Sequence, residues 1–492
     1  MATIKWQKWK EDLLDQAETA NKPLLLWIDY RGCQTCARME AESFADPVIT
    51  ERVMQEVVPV RVDRDEYPDI DRHFQRVFEA HTGKEGGWPL TLFVAPDGTP
   101  LHVDAYLPPR MQEGKMGFSE VLDLVVRNWR EDREGFIAKG RASLERLALP
   151  TRIEATRIDP EALVSTLRSQ IEEVYDPEHG GYGDAPKHLH VSLMKMLPVL
   201  LAQREDESLK AGYHHTLKQM MERRIWDRVR GGFFCCSGDA AWQEPVGRKS
   251  LAENAIMAIA CLRAAEMTGM ETCRGHAYKI ADWALERMKD PATGLFHAGE
   301  IDGVADERIL FAPNALMAAA LLSAAGSEDH FRADALGTLH QLMERMVRGE
   351  QIVHQDGSGK GTAYLADYAT LGAALLMAYD LTGNDYFVDS AGEFASEALR
   401  RFYDRGRWSV GDGRWRDPTV FADTMLSSPA ATMVMVLNRL SKLLDKAYFP
   451  FVEQTLAVAS YELMRRPIAK AAMAEAALRV YGGKNEEIGM RK

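Results

Sequence analysis

Cysteine is scarce in this chain, with six residues in 492. That is too few for a disulfide framework, and a reducing, cytoplasmic setting is expected. No apolar run is long enough to span a bilayer, and the segment from Met1 to Trp9 lacks the apolar core of a signal peptide. Positive charge is also short: 60 Lys and Arg stand against 73 Asp and Glu, a formal net charge of −13. A general affinity for nucleic acid or an anionic membrane is therefore not expected. No nucleotide, flavin or phosphate loop is recognisable, so the expected set of organic cofactors is none. The metal expectation is likewise none, because no second Cys-x-x-Cys or nearby His pair completes a tetrahedral site. What remains is ordinary globular material, 46% hydrophobic and 27% charged, in a chain long enough for at least two domains.

The most informative stretch is Cys33-Gln34-Thr35-Cys36. It follows Leu24-Leu25-Leu26-Trp27-Ile28, which reads as a buried strand, and precedes Ala37-Arg38-Met39-Glu40, which reads as the first turns of a helix. A cysteine at the start of a helix feels the positive end of the helix dipole, which favours its thiolate. The two-residue spacing lets Cys36 close on Cys33 and release a mixed disulfide. The alternatives for this pair are half of a zinc site or two inert core thiols.

Up to about residue 130 strands and helices alternate, the pattern of a small α/β sandwich. Trp6, Trp9, Leu13, Leu14 and Ala17 are spaced as one face of a first helix. The strands Val57–Val62 and Leu90–Val94 follow, and a last helix is expected near Phe118-Ser119-Glu120. Beyond about residue 155 helical stretches rich in Ala, Leu and Met take over. A punctuation recurs between them: Asp176-Pro177-Glu178-His179-Gly180-Gly181-Tyr182, Asp227-Arg228-Val229-Arg230-Gly231-Gly232-Phe233, Asp290-Pro291-Ala292-Thr293-Gly294-Leu295-Phe296 and Tyr403-Asp404-Arg405-Gly406-Arg407-Trp408. A period of roughly 50–60 residues, doubled before the last, is one helical hairpin with its loops. The expected organisation is a thioredoxin-like domain over 1–135, a linker over 136–155 and an (α/α)6 toroid over 156–492, with an open solenoid as the alternative.

The order helix, strand, Cys-x-x-Cys, helix, strand, helix, then Trp88-Pro89 opening a strand is the thioredoxin layout. In that layout a cis proline faces the cysteines, and Pro89 stands in its place. Three segments carry a closer likeness: Cys33-x-x-Cys36-x-x-Met39-Glu40-x-Glu42-Ser43-Phe44, Val62 to Asp71, and Thr82-Gly83-x-x-Gly86-Gly87-Trp88-Pro89-Leu90-Thr91. With Gly180 to Lys187, Gly231-Gly232-Phe233, Asn314 to Met317 and Tyr364 to Ala369, they resemble the family that includes spermatogenesis-associated protein 20. The resemblance implies a thioredoxin-like domain before a six-hairpin, glycosidase-like barrel, and a thiol redox site at Cys33 and Cys36. The chain departs from the family in carrying Gln34 and Ala37 where histidines are common. It also has Trp27 where thioredoxins hold a buried acid, and Gly247-Arg248-Lys249-Ser250-Leu251 where the family has a histidine-bearing segment.

Outside the first domain, Cys235-Cys236 is a candidate relay pair or soft-metal ligand, against a reading as two small packed residues. Cys261 and Cys273, in helical context, are expected to be buried spacers. Asp184, Trp242, Glu244, Glu253 and Asp367 lie in or beside the loop motifs, as candidates for a barrel cavity that could hold a sugar between an acid and a base, or as helix caps. The acids Asp63, Asp65, Glu66, Asp69 and Asp71 lack the glycine and terminal glutamate of a calcium loop and read as a solvated, helix-capping turn. The functional expectation is a thiol-disulfide oxidoreductase in which Cys33 attacks, Cys36 resolves, and Trp88-Pro89 holds the substrate chain. Its partner would be a protein thiol client or a carbohydrate-like small molecule recognised by the barrel. The rivals are an isomerase or hydrolase with its site in the barrel, and a non-catalytic scaffold.

Overall fold

Six consecutive buried residues, Leu24–Asp29, form the central strand β2 of a five-stranded sheet. The structure is a computed structural model describing residues 3–148, 157–326, 328–357, 363–416, 421–444 and 446–482. It divides into two compact units, Met1–Arg152 and Ile153–Lys492.

The first unit runs β1 (Gln7–Lys8), α1 (Asp12–Thr19), β2, α2 (Gln34–Glu42), α3 (Pro47–Glu56), β3 (Val58–Asp63), α4 (Pro68–Thr82), β4 (Leu90–Val94), β5 (Pro100–Asp104), α5 (Phe118–Glu131) and α6 (Arg133–Ala148). The strand order is β1-β3-β2-β4-β5. β1 and β2 lie parallel to β3, and β4 is antiparallel to both β2 and β5. Strand alternation turns Leu25, Trp27 and Phe93 toward Met39 of α2, Ile49 and Val53 of α3, and Val121, Leu122 and Val125 of α5. Asp46 starts α3 by accepting from the Val48 and Ile49 amides through one carboxylate oxygen, and Pro47 takes the first helical position.

Two expectations change here. The helix expected from Trp6 begins only at Asp12, because residues 7 and 8 pair instead with Val60 and Arg61. Spacing of Trp6, Trp9 and Leu13 suits a helix face, but the open edge of β3 offered hydrogen bonds that a frayed first turn could not match. Part of the segment expected as a linker is also structured: α6 continues to Ala148. Arg141 on it reaches Asp97 at 2.5 Å, and Gly140 lies so close to β5 that a Cβ would sit 2.3 Å from the Pro100 carbonyl oxygen.

In the second unit the described residues form twelve α-helices. They are α7 (Pro160–Val174), α8 (Val191–Gln203), α9 (Glu207–Glu222), α10 (Leu251–Thr268), α11 (Thr272–Trp283), α12 (Phe311–Ala325), α13 (Phe331–Met346), α14 (Leu365–Thr382), α15 (Asp385–Phe402), α16 (Pro429–Leu443), α17 (Phe449–Arg465) and α18 (Ala471–Tyr481). The inner helices α8, α10, α12, α14, α16 and α18 each pack on the next, and α18 returns to α8. The ring is closed, so the toroid holds and the open solenoid does not. α10, α12 and α14 are buried nearly all round, which is why their sequences show so little amphipathic period. Short links, such as the left-handed Gly269 and Gly383, join inner to outer helices. The long segments therefore gather at the N-terminal ends of the inner helices. They carry the short strands β6 (Lys187–His188), β7 (Cys236–Ser237), β8 (Arg248–Ser250), β9 (Gly299–Ile301) and β10 (Val304–Asp306).

The punctuation proves to be one repeated turn. In the first three copies the aspartate amide is bonded by the carbonyl five residues on, at Gly181, Gly232 and Leu295. The aspartate carbonyl in turn accepts from Gly180, Gly231 and Gly294. An aromatic residue closes each turn by pairing back, as Tyr182 with Tyr175, Trp226 with Phe233, and Phe296 with Lys289. Gly181 is at φ +91°, and a Cβ there would lie 2.6 Å from the Trp242 ring. In two copies a buried lysine locks the turn. Lys187 Nζ donates to Asp176 and the Gly180 carbonyl, and Lys249 Nζ to Asp227 and the Gly231 carbonyl. Asn254 and Asn314 repeat a second device: each accepts from the amide and donates to the carbonyl of the preceding aromatic, Phe233 or Phe296. The copy missing from the sequence period is the hairpin of Val347–Arg348 with Gln351–Ile352, whose lack of the aspartate and aromatic concealed it. No helix among the described residues is long and apolar enough to cross a membrane.

Candidate active site

β2 ends at Asp29, and four residues later Cys33 is the N-cap of α2. The Cys33 Sγ accepts from the Cys36 amide at 3.1 Å, and the two cysteines are joined as a disulfide with Cα atoms 5.2 Å apart. Cys33 is 6% exposed and Cys36 2%. The first sulfur is thus the more accessible, and it sits where α2 presents its unpaired amides. Both rest on an apolar floor that includes Trp27, Met39, Phe44 and Phe93. Trp27 is fully buried between Trp6 and Phe44, with the Arg61 guanidinium 4.7 Å from its ring. Asp29, 2% exposed, is neutralised by Arg61 at 2.5 Å.

The wall beside the cysteines comes from two loops. The Trp88–Pro89 bond is cis, and the Trp88 ring meets Tyr30 edge-on at 5.6 Å. The Arg64 guanidinium lies 3.9 Å over Tyr30 and 4.0 Å over Trp88, filling the corner between them. Trp88 Nε1 donates to Asp71 at 2.8 Å, and Gln75 holds the loop through the Gly87 carbonyl. Burial raises the pKa of Asp71, against the pull of Arg64. This corrects the solvated-turn expectation: Asp69 is 8% exposed, Asp71 points at the Trp88 loop, and the N-cap of α4 is Tyr67, without a side-chain cap. The sequence reading missed Tyr30, Arg64 and Asp71. Arg64 and Asp71 stand inside the second resemblance segment, but a run of acids looks solvated until the tryptophan that covers it is known.

The helical-domain candidates separate. Asp184 is exposed. Trp242, expected to face a cavity, is fully buried, and its Nε1 donates to the His179 and Gly180 carbonyls. The glycine pair leaves room only for its ring, so it braces the first turn. Glu244 is bonded to Ser237 and Asp239 through its amide. Glu253, in the first turn of α10, faces Arg248 at 3.8 Å. Asp367, in the first turn of α14, has both carboxylate oxygens 3.0 Å from His354 Nδ1 and accepts from the Tyr364 amide. That geometry favours the Nδ1 proton on His354. α12 lies between the helices of Glu253 and Asp367. Cys235 and Cys236 have their sulfurs 3.6 Å apart. His214 and His215 bond separately, to Thr268 and Tyr175.

A charged cluster that the sequence reading did not single out joins α8, α10 and α18. Glu475, fully buried, meets Arg263 at 2.8 Å, Arg479 at 2.9 Å and Lys195 at 3.7 Å. Burial opposes its charge, but the three cations hold it well below the usual carboxylate range. Nearby, Asp423 accepts from the Ser428 and Ala472 amides at the starts of α16 and α18. Burial pushes its pKa up to about 6. An unfolded aspartate titrates near 3.9, so between these values the folded state keeps a proton that the unfolded chain gives up. The stabilising contribution of that proton is complete below pH 4 and is lost as pH rises through 6. The stability of Asp423→Asn should lack this slope. Urea unfolding should show the wild-type advantage over the variant falling by about 1–2 kcal/mol from pH 4 to pH 6.5. Parallel curves would mean that Asp423 titrates as an ordinary carboxyl.

A thioredoxin-like domain with a Cys-x-x-Cys pair, followed by an (α/α)6 toroid, is the class that fold and site define. Comparison with known proteins agrees. A thioredoxin-type family model described as "Protein of unknown function, DUF255" matches residues 1–148. Human spermatogenesis-associated protein 20 is 29% identical over 307 residues, covering 61% of this chain and 39% of that protein. The family match is thus to the first domain, and the likeness in sequence to spermatogenesis-associated protein 20 extends beyond it. The match spans about two fifths of the length of these curated relatives. Among solved structures, cellobiose 2-epimerase from Spirochaeta thermophila covers 68% of this chain with a TM-score of 0.53 at 13% identity, 98% of that chain being matched. The GH76 alpha-mannanase BT2949 of Bacteroides thetaiotaomicron covers 66%, with 96% of that chain matched, a TM-score of 0.51 and 11% identity. At such identities the likeness is one of fold.

Proposed function

We propose that the protein is a cytoplasmic thiol-disulfide oxidoreductase whose helical domain recognises the client or a metabolite. In the reduced form Cys33 attacks a client disulfide through its thiolate, forming a mixed disulfide and releasing one client thiol. Cys36 then attacks the Cys33 sulfur, releases the second client thiol, and leaves the Cys33–Cys36 disulfide. An external dithiol or glutathione resets the pair. Trp88 and Pro89, buttressed by Arg64 and Tyr30, form the surface against which the client backbone lies. The observation that carries this reading is the Cys33–Cys36 bond at the N-terminus of α2, with the more exposed sulfur at the cap. Trp27 in place of a buried acid leaves no carboxyl at that position to take up the Cys36 proton, so the second step should be slow by thioredoxin standards. A glutathione redox titration with alkylation and mass mapping tests the proposal. Cys33 and Cys36 should interconvert reversibly as a pair, and thiols that stay unchanged across the range would refute it.

A second reading has one observation in its favour. The buried His354–Asp367 pair is the arrangement of a general base with an orienting carboxylate. It stands in a fold shared with a named epimerase and a named mannanase. Under this reading the helical domain transforms a carbohydrate-like ligand, and Cys33 and Cys36 serve only to sense redox state or brace their own domain.

A further inference from the structure

We propose that Cys235 and Cys236 form a second thiol site, in the helical domain, which closes to a vicinal disulfide by direct exchange with a low-molecular-weight disulfide such as oxidised glutathione. The sulfurs are 3.6 Å apart, and closing them to a bond near 2.05 Å makes an eight-membered ring that turns the peptide between the two residues as well as both side chains. The backbone holds the pair in register: the Cys235 amide donates to the Arg248 carbonyl at 2.9 Å, and the Cys236 carbonyl accepts from Val246 at 2.9 Å. Cys236 is half-buried beside His188 on β6, while Cys235 is 2% exposed behind it.

This asymmetry assigns the roles. The S–H of Cys235 donates to the Cys236 sulfur and lowers its pKa, an effect that Arg248 reinforces and that burial and Glu253 oppose. The same hydrogen bond, with burial, raises the thiol of Cys235. Cys236 is therefore the attacking sulfur. Its thiolate breaks the S–S bond of glutathione disulfide, one glutathione thiolate leaves and takes up the proton, and Cys236 carries a mixed disulfide. Cys235 loses its proton, attacks the Cys236 sulfur and releases the second glutathione. Two protein thiols and one external disulfide become one protein disulfide and two external thiols. Cys261 and Cys273 supply an internal contrast. Both are 0% exposed, between α10 and α11, and neither sulfur presents a face to a reagent.

The site requires neither Cys33 nor Cys36, so the full-length Cys33→Ser/Cys36→Ser protein isolates it from the first proposal. Incubated with oxidised glutathione, that protein should lose about 2 Da on the peptide holding residues 235 and 236, reversibly with dithiothreitol. Cys261 and Cys273 should stay alkylatable only after denaturation. Cys235→Ser in the same background should accumulate a stable glutathione adduct on Cys236, and Cys236→Ser should slow modification of residue 235 at least about tenfold. Phenylarsine oxide, which needs two neighbouring thiols, should protect both from alkylation without any substitution at 235 or 236. Failure of the arsenical to protect them, or thiols at 235 and 236 that remain free in the folded protein, would overturn the proposal. A disulfide that forms only when Cys33 and Cys36 are intact would overturn direct exchange in favour of a relay.

Discussion

Cys33→Ser should bring the reduction of protein-client disulfides to the uncatalysed background, because a serine oxygen cannot enter a disulfide and the remaining sulfur of that site, Cys36, lies 2% exposed behind it. Cys36→Ser should behave differently. The attacking sulfur and its helix N-terminus are kept, so the first step survives and the mixed disulfide is no longer resolved. Clients should then accumulate on Cys33 as covalent adducts that dithiothreitol releases, and mass spectrometry of those adducts names them. Stability should change little in the reduced protein, since each substitution removes one sulfur from an intact apolar floor. The pair of variants also separates the two functional readings. A carbohydrate-transforming activity carried by His354 and Asp367 should be unaffected by Cys33→Ser and lost in His354→Gln. A protein whose every measurable activity survives Cys33→Ser is not an oxidoreductase of this kind.

The second large effect is on stability. Lys249, 1% exposed, donates to Asp227 at 2.8 Å and to the Gly231 carbonyl at 2.9 Å, and lies 2.5 Å from Glu300. Glu300 is itself 2% exposed, with Arg287 a more distant 3.8 Å away. Lys249→Met keeps the volume of the side chain and deletes its charge. It leaves a buried carboxylate, a second carboxylate and a turn carbonyl without their shared donor. Removing one partner of a buried pair costs about 3–5 kcal/mol. Arg287 can take up part of the Glu300 charge, which sets the expectation near the lower end. The urea midpoint of the helical domain should fall accordingly, and Lys249→Met combined with Glu300→Gln should recover part of the loss. A change below about 1 kcal/mol would show the repeat turns to be held by their backbone bonds alone. The same logic applies to Lys187, which satisfies Asp176 and two carbonyls from a fully buried position.

Much of this protein was legible before any coordinates. The Leu24 to Ile28 run is short, apolar and bounded by turn residues, so its place at the centre of a sheet follows from burial alone. The Asp-to-aromatic turns repeat because each hairpin must close the same way, and their period marked a helical-hairpin repeat, whose closure into a ring came from the packing of α18 on α8. Periodicity stopped being informative where burial became complete. α10, α12 and α14 show no polar face, so the sequence announced helices without saying which ones line the inside. It also misjudged local alternatives of similar energy, such as the strand at Gln7–Lys8, where an unpaired sheet edge outcompeted a helix.

The candidate site divides in the same way. The cysteine pair and Trp88-Pro89 were readable because their chemistry lies in adjacent residues and in their order along the chain. Chain order also set the two domains and the sequence of strands. Tertiary structure alone decided which charges are buried and what they meet. Asp71 lies 17 residues from the Trp88 indole that it accepts from. Lys195 and Glu475 are 280 residues apart by number and meet only because the last inner helix closes on the first. His354 and Asp367 are near in sequence, yet their 3.0 Å contact depends on the first turn of α14 facing the preceding segment. Electrostatics and hydrogen bonds act over a few ångströms, whatever the separation along the chain, and folding sets those distances.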